Sequence, residues 1–338
     1  MIRVTPGTWK RGIVDRELDR LVDLLVDHAT VVVSGVKAAA EIGVPHSTLH
    51  EWIDRLREQG VHIDGIPGRG FVLKTVPDIL TAGVIRRAAR GTQFGAQIHH
   101  FYRIGSTMTV AADLAREGAP HGAIVVAEQQ TAGRGRLGRS WHSPRAAGIY
   151  MSLVLRPAMP AARAPVLTLA AGLAVADAVS EITSRPTDLR WPNDVLLDGR
   201  KCCGILPELT AEAERIRHVV LGIGLNVNQQ SFPAELAGEA VSLAQAAGRR
   251  LARADVLAVV LRQFDRRFRE FAAGDTAALI ADFERRSSYA RARRISVETG
   301  PQGFTGITEG LDACGFLLVR RDDTGAVEPV LSGTIRAI

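Results

Sequence analysis

The sequence predicts a multidomain α/β protein, with a mixed α/β core between a helical N-terminal domain and a small C-terminal β barrel. Three observations indicate this organisation. Apolar residues at helical spacing occupy much of residues 1–75, and strand-like runs alternate with alanine-rich helical stretches over residues 99–287. Residues 288–338 contain short strand-like segments that are interrupted by glycines. With 46% hydrophobic and 23% charged residues, the 338-residue chain has the composition of a globular protein and not of a disordered one.

The N-terminal domain has the pattern of a winged helix-turn-helix. Ser34 is suited to cap a helix over residues 35–42, Gly43 ends that helix, and Pro45 lies where the next helix begins. Two strand-like runs then flank the Gly/Pro-rich segment 65–70, which predicts a hairpin. Two helices joined by a short turn and followed by such a hairpin are typical of the winged helix.

The rest of the chain can be divided into elements by the same signals. Residues 76–98 are expected to form a helical linker with Asp78 as its N-cap. In the core, strands are predicted at 123–127, 149–155 and 219–224, and helices at 107–116, 167–183 and 256–272. In the barrel, strands are predicted at 294–298, 303–307, 315–320 and 327–330.

The composition also excludes several classes of protein. The three cysteines have neither the number nor the spacing of a disulfide framework or a zinc site, which fits a reducing cytosol. The first residues lack the apolar region of a signal peptide, and the longest nearly apolar run, residues 165–176, is too short to span a bilayer. We therefore expect a cytoplasmic protein with no membrane partner.

The most informative segment is the glycine- and arginine-rich run at residues 130–139. It contains the spacing G-x-G-x-x-G, but the dinucleotide-binding motif also needs a helix directly afterwards and an acidic residue about 20 positions on. Residues 140–144 do not begin a helix, and no acidic residue occurs at positions 129–176. Glycines expose backbone N–H groups, and each guanidinium–phosphate hydrogen bond contributes roughly 1.5–3 kcal/mol. The run therefore predicts a polyphosphate clamp, with a flexible basic surface loop as the alternative.

A second segment predicts a hairpin that carries polar side chains. Residues 189–196 and 200–206 are strand-like and surround an Asp-Gly turn. The hairpin would place Asn193 and Asp194 opposite Lys201, the only lysine beyond the N-terminal domain. A lysine beside a polyphosphate site can stabilise the charge that develops when a carboxylate attacks phosphorus. The alternative is an ordinary hairpin with a buried Trp and a surface Lys–Asp pair.

A third segment, residues 219–228, is an apolar strand whose two glycines either admit a ligand close to the backbone or serve packing. In this order and spacing, the three segments resemble the bifunctional biotin protein ligase / biotin operon repressor family over nearly the whole chain. The matching motifs are the Gly-Arg run from Gly133 to Trp141, Trp-Pro-Asn-Asp at 191–194, Lys-x-x-Gly-Ile-Leu at 201–206, and Ser106-Thr107.

The resemblance implies a fold and an activity. It implies a winged helix-turn-helix at residues 1–75, a helical linker at 76–98, a ligase core like that of class II synthetases at 99–287, and an SH3-like barrel at 288–338. The implied reaction has two steps. The carboxylate of biotin attacks the α-phosphate of ATP to give biotinyl-5′-AMP and pyrophosphate, and a lysine of a biotin carboxyl carrier protein then attacks the adenylate. The resemblance further implies Mg²⁺ as a cofactor, operator DNA as a partner, and a homodimer that forms on adenylate binding.

The same resemblance implies roles for individual residues. The implied catalytic residues are Arg134, Arg136 and Lys201. The implied biotin-binding residues are Ser106, Thr107, Gln130, Gly133, Arg134, Arg136, Lys201, Gly204 and Gly222. The implied nucleotide- or adenylate-binding residues are Arg136, Arg139, Trp141, Arg190, Asn193, Asp194 and Asn226. The family's usual residues are replaced at Gly105 (Asp), Met108 (Asn), Arg190 (Lys) and Thr334 (Glu), and the Trp that stacks on adenine in some members is absent near Ala240.

The charge of the N-terminal domain does not indicate strong DNA binding. The candidate DNA-contacting residues are His46, Ser47, Thr48, His50, Arg55, Arg57 and Arg69. Residues 1–75 contain ten basic and ten acidic side chains, whereas DNA affinity depends largely on phosphate neutralisation. Sequence-specific DNA binding and a structural or regulatory remnant therefore both remain open.

Two other functions compete with the ligase interpretation. One is a lipoate or octanoate ligase of the same superfamily, which the full Gly-Arg run and Trp-Pro-Asn-Asp disfavour. The other is a repressor that binds biotinyl-AMP and has no transferase activity.

Overall fold

The computed structural model describes residues 12–58, 60–212, 215–298 and 303–338; residues 1–11, which belong to the predicted first domain, lie outside this description. The N-terminal segment (residues 12–73) consists of three helices and a hairpin: α1 (Gly12–Asp27), α2 (Gly35–Ile42), α3 (His46–Glu58), β1 (Ile63–Ile66) and β2 (Gly70–Leu73). The Ser34 side chain caps α2 by accepting a hydrogen bond from Lys37 N, and Gly43 ends α2 with a φ of 86°. Both helix-boundary predictions are thus confirmed. The core of the segment contains Leu49, Trp52 and Phe71.

The expectation of a helical linker capped by Asp78 is wrong in two respects. Only α4 (Ala82–Ala88) is helical in this stretch, and its N-cap is Thr81, whose side chain accepts a hydrogen bond from Val84 N. Asp78 instead accepts a hydrogen bond from the backbone N–H of Arg253 at 3.2 Å. Its Oδ1 also lies 3.3 Å from Arg253 Nε, and the Arg253 side chain is fully buried. A buried guanidinium needs a carboxylate partner, and this long-range requirement takes Asp78 away from the helix.

The core of the protein is a mixed seven-stranded sheet with the order β3-β4-β5-β9-β8-β7-β6 among the described residues. Its strands are β3 (Ile98–Phe101), β4 (Ala123–Ala127), β5 (Gly148–Leu155), β6 (Thr187–Arg190), β7 (Asp194–Leu197), β8 (Arg200–Glu212) and β9 (Arg215–Asn226). The β3–β4 pair is parallel and the other pairs are antiparallel. The predicted mixed α/β core is confirmed.

Helices cover both faces of this sheet because alternate strand residues point to opposite sides. Ile124 and Val126 belong to the main core, whereas Ala123 and Val125 belong to a smaller cluster on the other face. The covering helices are α5 (Thr107–Arg116), α6 (Ala164–Thr183), α7 (Leu243–Ala247), α8 (Arg253–Ala273) and α9 (Thr276–Arg286). The smaller cluster includes apolar residues of α5, and the main core includes those of α6 to α9. The apolar run expected at residues 165–176 lies within the longer helical stretch Ala161–Thr183, which is long and apolar enough to cross a membrane, so the prediction that it is too short was wrong. Its most apolar window is nevertheless 72% buried, as in a core helix.

A C-terminal antiparallel sheet adjoins the core. Its strands are β10 (Arg291–Glu298), β11 (Phe304–Leu311), β12 (Leu317–Arg321), β13 (Val327–Val330) and β14 (Thr334–Ala337), in the order β13-β12-β11-β10-β14. The predicted β character is confirmed, although the sequence did not predict β14. The indole of Trp191, buried at the β6–β7 turn, donates a hydrogen bond to the Gly315 carbonyl at 3.0 Å. This bond joins the C-terminal sheet to the edge of the core sheet that carries the polar hairpin.

Candidate active site

A cleft of about 400 Å³ lies where the Gly-Arg run, the β7–β8 hairpin, β9 and the start of β14 meet. Its walls contain thirteen of the fifteen substrate-site residues that the sequence pointed to: Thr107, Gln130, Arg134, Arg136, Arg139, Trp141, Arg190, Asn193, Asp194, Lys201, Gly204, Gly222 and Asn226. The other two, Ser106 and Gly133, lie beside it. Residues separated by about 120 positions are therefore brought into one site.

Three charged side chains, from the neighbouring strands β6, β7 and β8, form one group in the cleft. Asp194 Oδ1 lies 2.5 Å from Lys201 Nζ, and Asp194 Oδ2 accepts hydrogen bonds from Arg190 Nη2 at 2.7 Å and Nε at 3.2 Å. Burial by itself would lower the pKa of Arg190, but the attraction of Asp194 outweighs it and raises that pKa. One carboxylate thus orients two cations, which leaves the group with a net positive charge suited to an anion.

The two asparagines of the site have their own protein partners. Asn193 donates from Nδ2 to the Ile205 carbonyl at 2.8 Å and accepts from Arg136 Nη1 at 3.3 Å. Asn226 lies behind Lys201, because its Nδ2 donates to the Val241 carbonyl at 3.3 Å and to the Lys201 carbonyl at 3.5 Å. Both side chains therefore position other groups around the cleft.

The arginines of the Gly-Arg run reach protein groups on two sides of the cleft. Arg134 forms an ion pair with Glu208 of β8 at 2.6 Å. Arg136 donates from Nη1 to the Gly333 carbonyl at 3.2 Å and from Nη2 to Ser332 Oγ at 3.3 Å, and Arg139 donates to Thr334 Oγ1 at 2.5 Å. The C-terminal sheet therefore holds the run over the cleft.

The charge of Arg136 is incompletely neutralised. Burial lowers the pKa of Arg136, the neighbouring Arg139 lowers it further, and Asp194 offsets only part of this effect. No carboxylate of the described residues forms an ion pair with Arg136, and a half-buried cation of this kind is suited to bind a phosphate.

Hydrogen bonds connect the start of α5 to the beginning of the Gly-Arg run. Gln130 Oε1 accepts from Thr107 N at 2.9 Å and from Thr107 Oγ1 at 3.1 Å, while Gln130 Nε2 donates to Ser143 Oγ at 2.9 Å. Ser106 Oγ is buried and has no hydrogen-bond partner among the described residues. A buried hydroxyl without a partner is costly, so Ser106 is suited to bind a polar ligand group at this end of the cleft.

The indole of Trp141 packs on two glycines that cannot be replaced without a clash. A Cβ on Gly224 would lie 2.5 Å from the Trp141 ring, and a Cβ on Gly204 would lie 2.9 Å from it. Lys201 Nζ lies 5.3 Å from the ring centroid, within the range of a cation–π contact. The Trp141 Nε1 is buried and, within the described part of the chain, has no acceptor. This donor faces Gly224 of β9, because a Cβ there would lie 2.5 Å from Trp141 Nε1.

The predicted DNA-contacting residues lie on α3 and the β1–β2 turn. His46, Ser47, His50 and Arg69 are exposed, and Thr48 is half-buried. The ring centroids of His46 and His50 lie 4.7 Å apart, and those of His50 and Phe71 lie 5.1 Å apart. Arg57 is already engaged by Asp54 at 2.9 Å and by the Ile63 carbonyl at 3.0 Å. Arg69, at the hairpin tip, is therefore the better-placed of these two arginines for a phosphate.

The sequence did not point to four residues that shape the cleft. Ser143, Glu208 and Ser332 were not singled out, and Thr334 was noted only as a departure from a family pattern. The Ser332-Gly333-Thr334 motif contained a usable signal, because it occupies a position where the resembled family has a polar motif. No local signal marks Glu208, whose partner lies 74 positions earlier in the chain.

Comparisons of sequence and fold show which known proteins this chain is similar to. Residues 100–226 match the model of the Biotin/lipoate A/B protein ligase family. The chain is 39% identical over 253 residues to the bifunctional ligase/repressor BirA of Bacillus subtilis, covering 74% of this chain and 78% of that protein. It is 35% identical over 266 residues to the biotin–[acetyl-CoA-carboxylase] ligase of Mycobacterium tuberculosis, covering 75% and 96%. The solved biotin protein ligase from Aquifex aeolicus in complex with biotin and ATP superposes with a TM-score of 0.62 at 30% identity, covering 72% of this chain and all of that one.

Proposed function

Because the chain belongs to the biotin protein ligase family and is an enzyme of the ligase class, we propose that it activates biotin with ATP and transfers it to a lysine of a biotin carboxyl carrier protein. The observation that carries this proposal is the convergence of Lys201, Arg136 and Arg139 on one cleft that also contains Trp141 and Gln130. A similar protein of known structure binds biotin and ATP, and a sequence relative is named for acetyl-CoA carboxylase as the enzyme that it modifies.

In the first step, a carboxylate oxygen of biotin attacks the α-phosphorus of ATP and the bond to the β-phosphate breaks, so that pyrophosphate leaves. Two anions must approach each other, which is unfavourable without cations. We assign Lys201 to the attacking carboxylate and α-phosphate, and Arg136 and Arg139 to the phosphates. Asp194 keeps Lys201 and Arg190 oriented, and a pre-oriented site avoids part of the entropic cost of bringing two substrates together.

The other end of biotin would bind near the start of α5. The ureido group has both donors and an acceptor, and the unpaired Ser106 hydroxyl together with Gln130 and Thr107 can satisfy them. Gly204 and Gly222 line the cleft and place no side chain in it. Gly133 contributes indirectly, because a Cβ there would lie 2.5 Å from the Trp141 carbonyl oxygen.

In the second step, the unprotonated amine of the acceptor lysine attacks the acyl carbon of biotinyl-5′-AMP. An amide bond forms, the acyl–phosphate bond breaks, and AMP leaves. We propose that Arg134 and Arg136 retain the adenylate until the acceptor arrives. Lys201 then stabilises the negative charge that develops on the carbonyl and departing phosphate oxygens.

Magnesium would enter with the nucleotide. No group of three or more His, Cys, Asp or Glu side chains suited to a metal ion occurs among the described residues, and Asp194 is bound by two cations. Magnesium commonly binds to substrate phosphates with one or two carboxylates and several waters. A Mg²⁺ ion held by the phosphates of ATP would be compatible with this cleft, whose lining includes the carboxylates of Asp194, Glu235 and Glu239.

A reconstituted reaction tests the ligase function. The full chain is incubated with ATP, labelled biotin and a purified carrier domain, and pyrophosphate release and carrier labelling are measured. We expect both to depend on biotin. Release of pyrophosphate without carrier labelling would favour the repressor without transferase activity, and labelling with octanoate or lipoate in place of biotin would favour the related lipoate/octanoate ligases.

A second function is supported by the N-terminal segment. The helix–turn–helix of α2 and α3 with the β1–β2 hairpin is consistent with a winged helix-turn-helix, and relatives are named ligase/repressors. We propose that residues 1–75 bind operator DNA through α3 and Arg69, that residues 76–98 link them to a class II synthetase-like core at 99–287, and that residues 288–338 form an SH3-like barrel. We further propose a cytoplasmic protein that dimerises on adenylate binding.

A gel-shift experiment on the promoter of the organism's own biotin genes tests the DNA-binding proposal. Binding should strengthen when biotinyl-5′-AMP is present, because a dimer contacts two half-sites. Arg69→Ala should weaken binding and lower its salt dependence, since one phosphate contact is lost. An unchanged salt dependence would argue against a hairpin contact with DNA.

A further inference from the structure

A buried network of charged side chains begins at helix α1. Asp19 is buried, and its Oδ1 lies 2.8 Å from His100 Nδ1 and accepts a hydrogen bond from the Tyr102 hydroxyl at 3.2 Å. Its Oδ2 accepts a hydrogen bond from the backbone N–H of Ala82 at 2.9 Å. A single carboxylate of the N-terminal segment is thus bound to β3, to the residue after β3, and to the first residue of α4.

The network of charged side chains continues from His100 into the core. His100 Nε2 lies 3.4 Å from Glu128 Oε1, and Glu128 Oε2 lies 2.6 Å from Arg253 Nη2. Burial by itself would lower the pKa of His100, but attraction to Asp19 and Glu128 outweighs burial and raises it to about 10. Burial would likewise raise the pKa of Glu128, but Arg253 and His100 lower it to about 2. Both groups are therefore charged at neutral pH, and negative and positive side chains alternate through the network.

We define residues 128–148 as the cleft segment. Glu128 and Arg253, at the inner end of the network, hold both ends of this segment. The backbone carbonyl of Glu128 accepts a hydrogen bond from Ala146 N at 3.0 Å, and Arg253 Nη1 donates to the Gly148 carbonyl at 3.1 Å. The cleft segment includes Gln130, the arginines of the Gly-Arg run and Trp141. Its start and its end are therefore fastened by Glu128 and Arg253, which are connected to Asp19 through His100.

The cleft segment also contacts the N-terminal segment at a second point. Arg145 Nη1 donates to the Glu58 backbone carbonyl at 2.8 Å. Glu58 is the last residue of α3, where a cation is favoured by the helix dipole. Helices α1 and α3 thus both reach the same stretch of the core.

We propose that Asp19 is a positioning residue for the ligase reaction, which holds the cleft segment in its binding conformation through His100 and Glu128. The effect of Asp19 on catalysis rests on the proposed function, whereas its effect on the conformation of the cleft segment does not. Removing one partner from a buried ion pair leaves an uncompensated charge. Without the Asp19 charge, His100 and Glu128 rearrange or change protonation, and the attachment of the cleft segment weakens. By reciprocity, a ligand that stabilises the cleft segment also stabilises its contacts with α1.

Hydrogen exchange of the full chain without ligand tests the structural part. The variant is Asp19→Asn, and Asp27→Asn is the matched control, because Asp27 is an exposed residue of the same helix and loses the same charge. We expect faster exchange in residues 128–148 for Asp19→Asn only, with the centre of the sheet, β8 and β9, unchanged. Unchanged exchange in the cleft segment, or an equal increase throughout the sheet, would overturn the proposal.

A milder variant covers the case in which Asp19→Asn does not fold. Tyr102→Phe removes one donor to Asp19 and leaves every charge in place, so the same local increase should appear with smaller amplitude. No increase in the cleft segment for Tyr102→Phe would then count against the proposal.

Kinetics test the catalytic part. At low biotin, Asp19→Asn reduces the fraction of molecules with an ordered cleft segment, so KM for biotin should rise about 5- to 50-fold, a usual range for coupling between sites. At saturating biotin and ATP, ligand binding restores the segment, and kcat should remain within about twofold of wild type. A fall in kcat without a change in KM would overturn the positioning role. If wild type itself released no pyrophosphate, the proposed function would fail, while the exchange experiment would still decide the structural part.

Discussion

The ammonium of Lys201 lies 2.5 Å from Oδ1 of Asp194, across the β7–β8 hairpin. The Asp-Gly turn between the two strands sets a register that pairs Lys201 with Leu196, two residues after Asp194, and the long Lys201 side chain reaches Asp194 from there. The same carboxylate binds Arg190 of β6, so Asp194 orients two cations at the cleft. Lys201 is thereby held in place before a substrate arrives.

Replacing Lys201 with Ala should impair adenylation far more than biotin binding. The ammonium interacts with charge that develops in the transition state, and removing one such donor typically lowers kcat about 10²- to 10³-fold. Pyrophosphate release in a rapid-quench experiment measures the step, and calorimetry measures biotin affinity. Lys201→Arg is the charge-preserving comparison and should recover part of the rate, because the guanidinium has a different geometry. A normal burst of pyrophosphate in Lys201→Ala would remove this residue from the mechanism.

Replacing Arg136 with Ala should accelerate loss of the adenylate into solution. Hydrogen bonds to a charged group contribute about 1.5–3 kcal/mol, so the off-rate of biotinyl-5′-AMP should rise roughly 10- to 100-fold. Release can be followed by trapping the labelled adenylate on excess unlabelled enzyme. Arg249→Ala, an exposed arginine outside the cleft, is the control and should retain the wild-type rate. Equal off-rates for the two variants would contradict the clamp.

Replacing Thr334, a residue of the C-terminal sheet, with Val should weaken the binding of the nucleotide. The hydroxyl accepts a hydrogen bond from Arg139, and its loss frees that arginine from the cleft. A hydrogen bond of this kind contributes about 0.5–1.5 kcal/mol, so KM for ATP should rise roughly 2- to 10-fold. Thr334→Ser keeps the hydroxyl and should behave as wild type. Identical KM values for the Val and Ser variants would show that the contact does not position Arg139.

His100 should make the protein less stable as pH rises above neutrality. Its pKa is raised to about 10 in the folded protein, against an unperturbed value of about 6.5 in the unfolded chain. The stabilisation is therefore complete below about pH 6.5 and is lost as pH approaches about 10. Between those limits, this group should lower the free energy of unfolding by about 1.4 kcal/mol per pH unit.

Denaturant unfolding at about pH 7, 8 and 9 measures this effect in wild type and in His100→Gln. The difference between the two slopes isolates His100 from other titrating groups. A neutral His100 in the folded protein would give parallel slopes and would contradict a charged link between α1 and the core.

Local signals predicted many elements correctly. The run of apolar and β-branched residues at 123–127 is the strand β4, and residues 107–116 are the helix α5, with the predicted bounds. Ser34 and Gly43 delimit α2 because a cap and a left-handed glycine act within a few residues of themselves. Asp198-Gly199 forms the predicted turn for the same reason.

Long-range partners were not predictable. Asp78 was expected to cap a helix and instead compensates Arg253, which lies 175 positions away. Arg139 and Thr334 are 195 positions apart, and Arg134 and Glu208 have no shared motif. Strand β14 and helix α9 also went unpredicted, because short or weakly patterned elements depend on the surfaces against which they pack.

The sequence by itself determined which residue types reach the cleft, because the Gly-Arg run, Trp-Pro-Asn-Asp and the hairpin of Lys201 are contiguous motifs. The prediction of one strand over residues 189–196 was wrong, because residues 191–193 form a turn between β6 and β7. Only the tertiary structure decided which of them act together and what supports them. The C-terminal sheet holds Arg136 and Arg139, and α1 places Asp19 against His100. Ion pairs and hydrogen bonds form between side chains that folding brings within about 3 Å, and spacing along the chain carries no record of that distance.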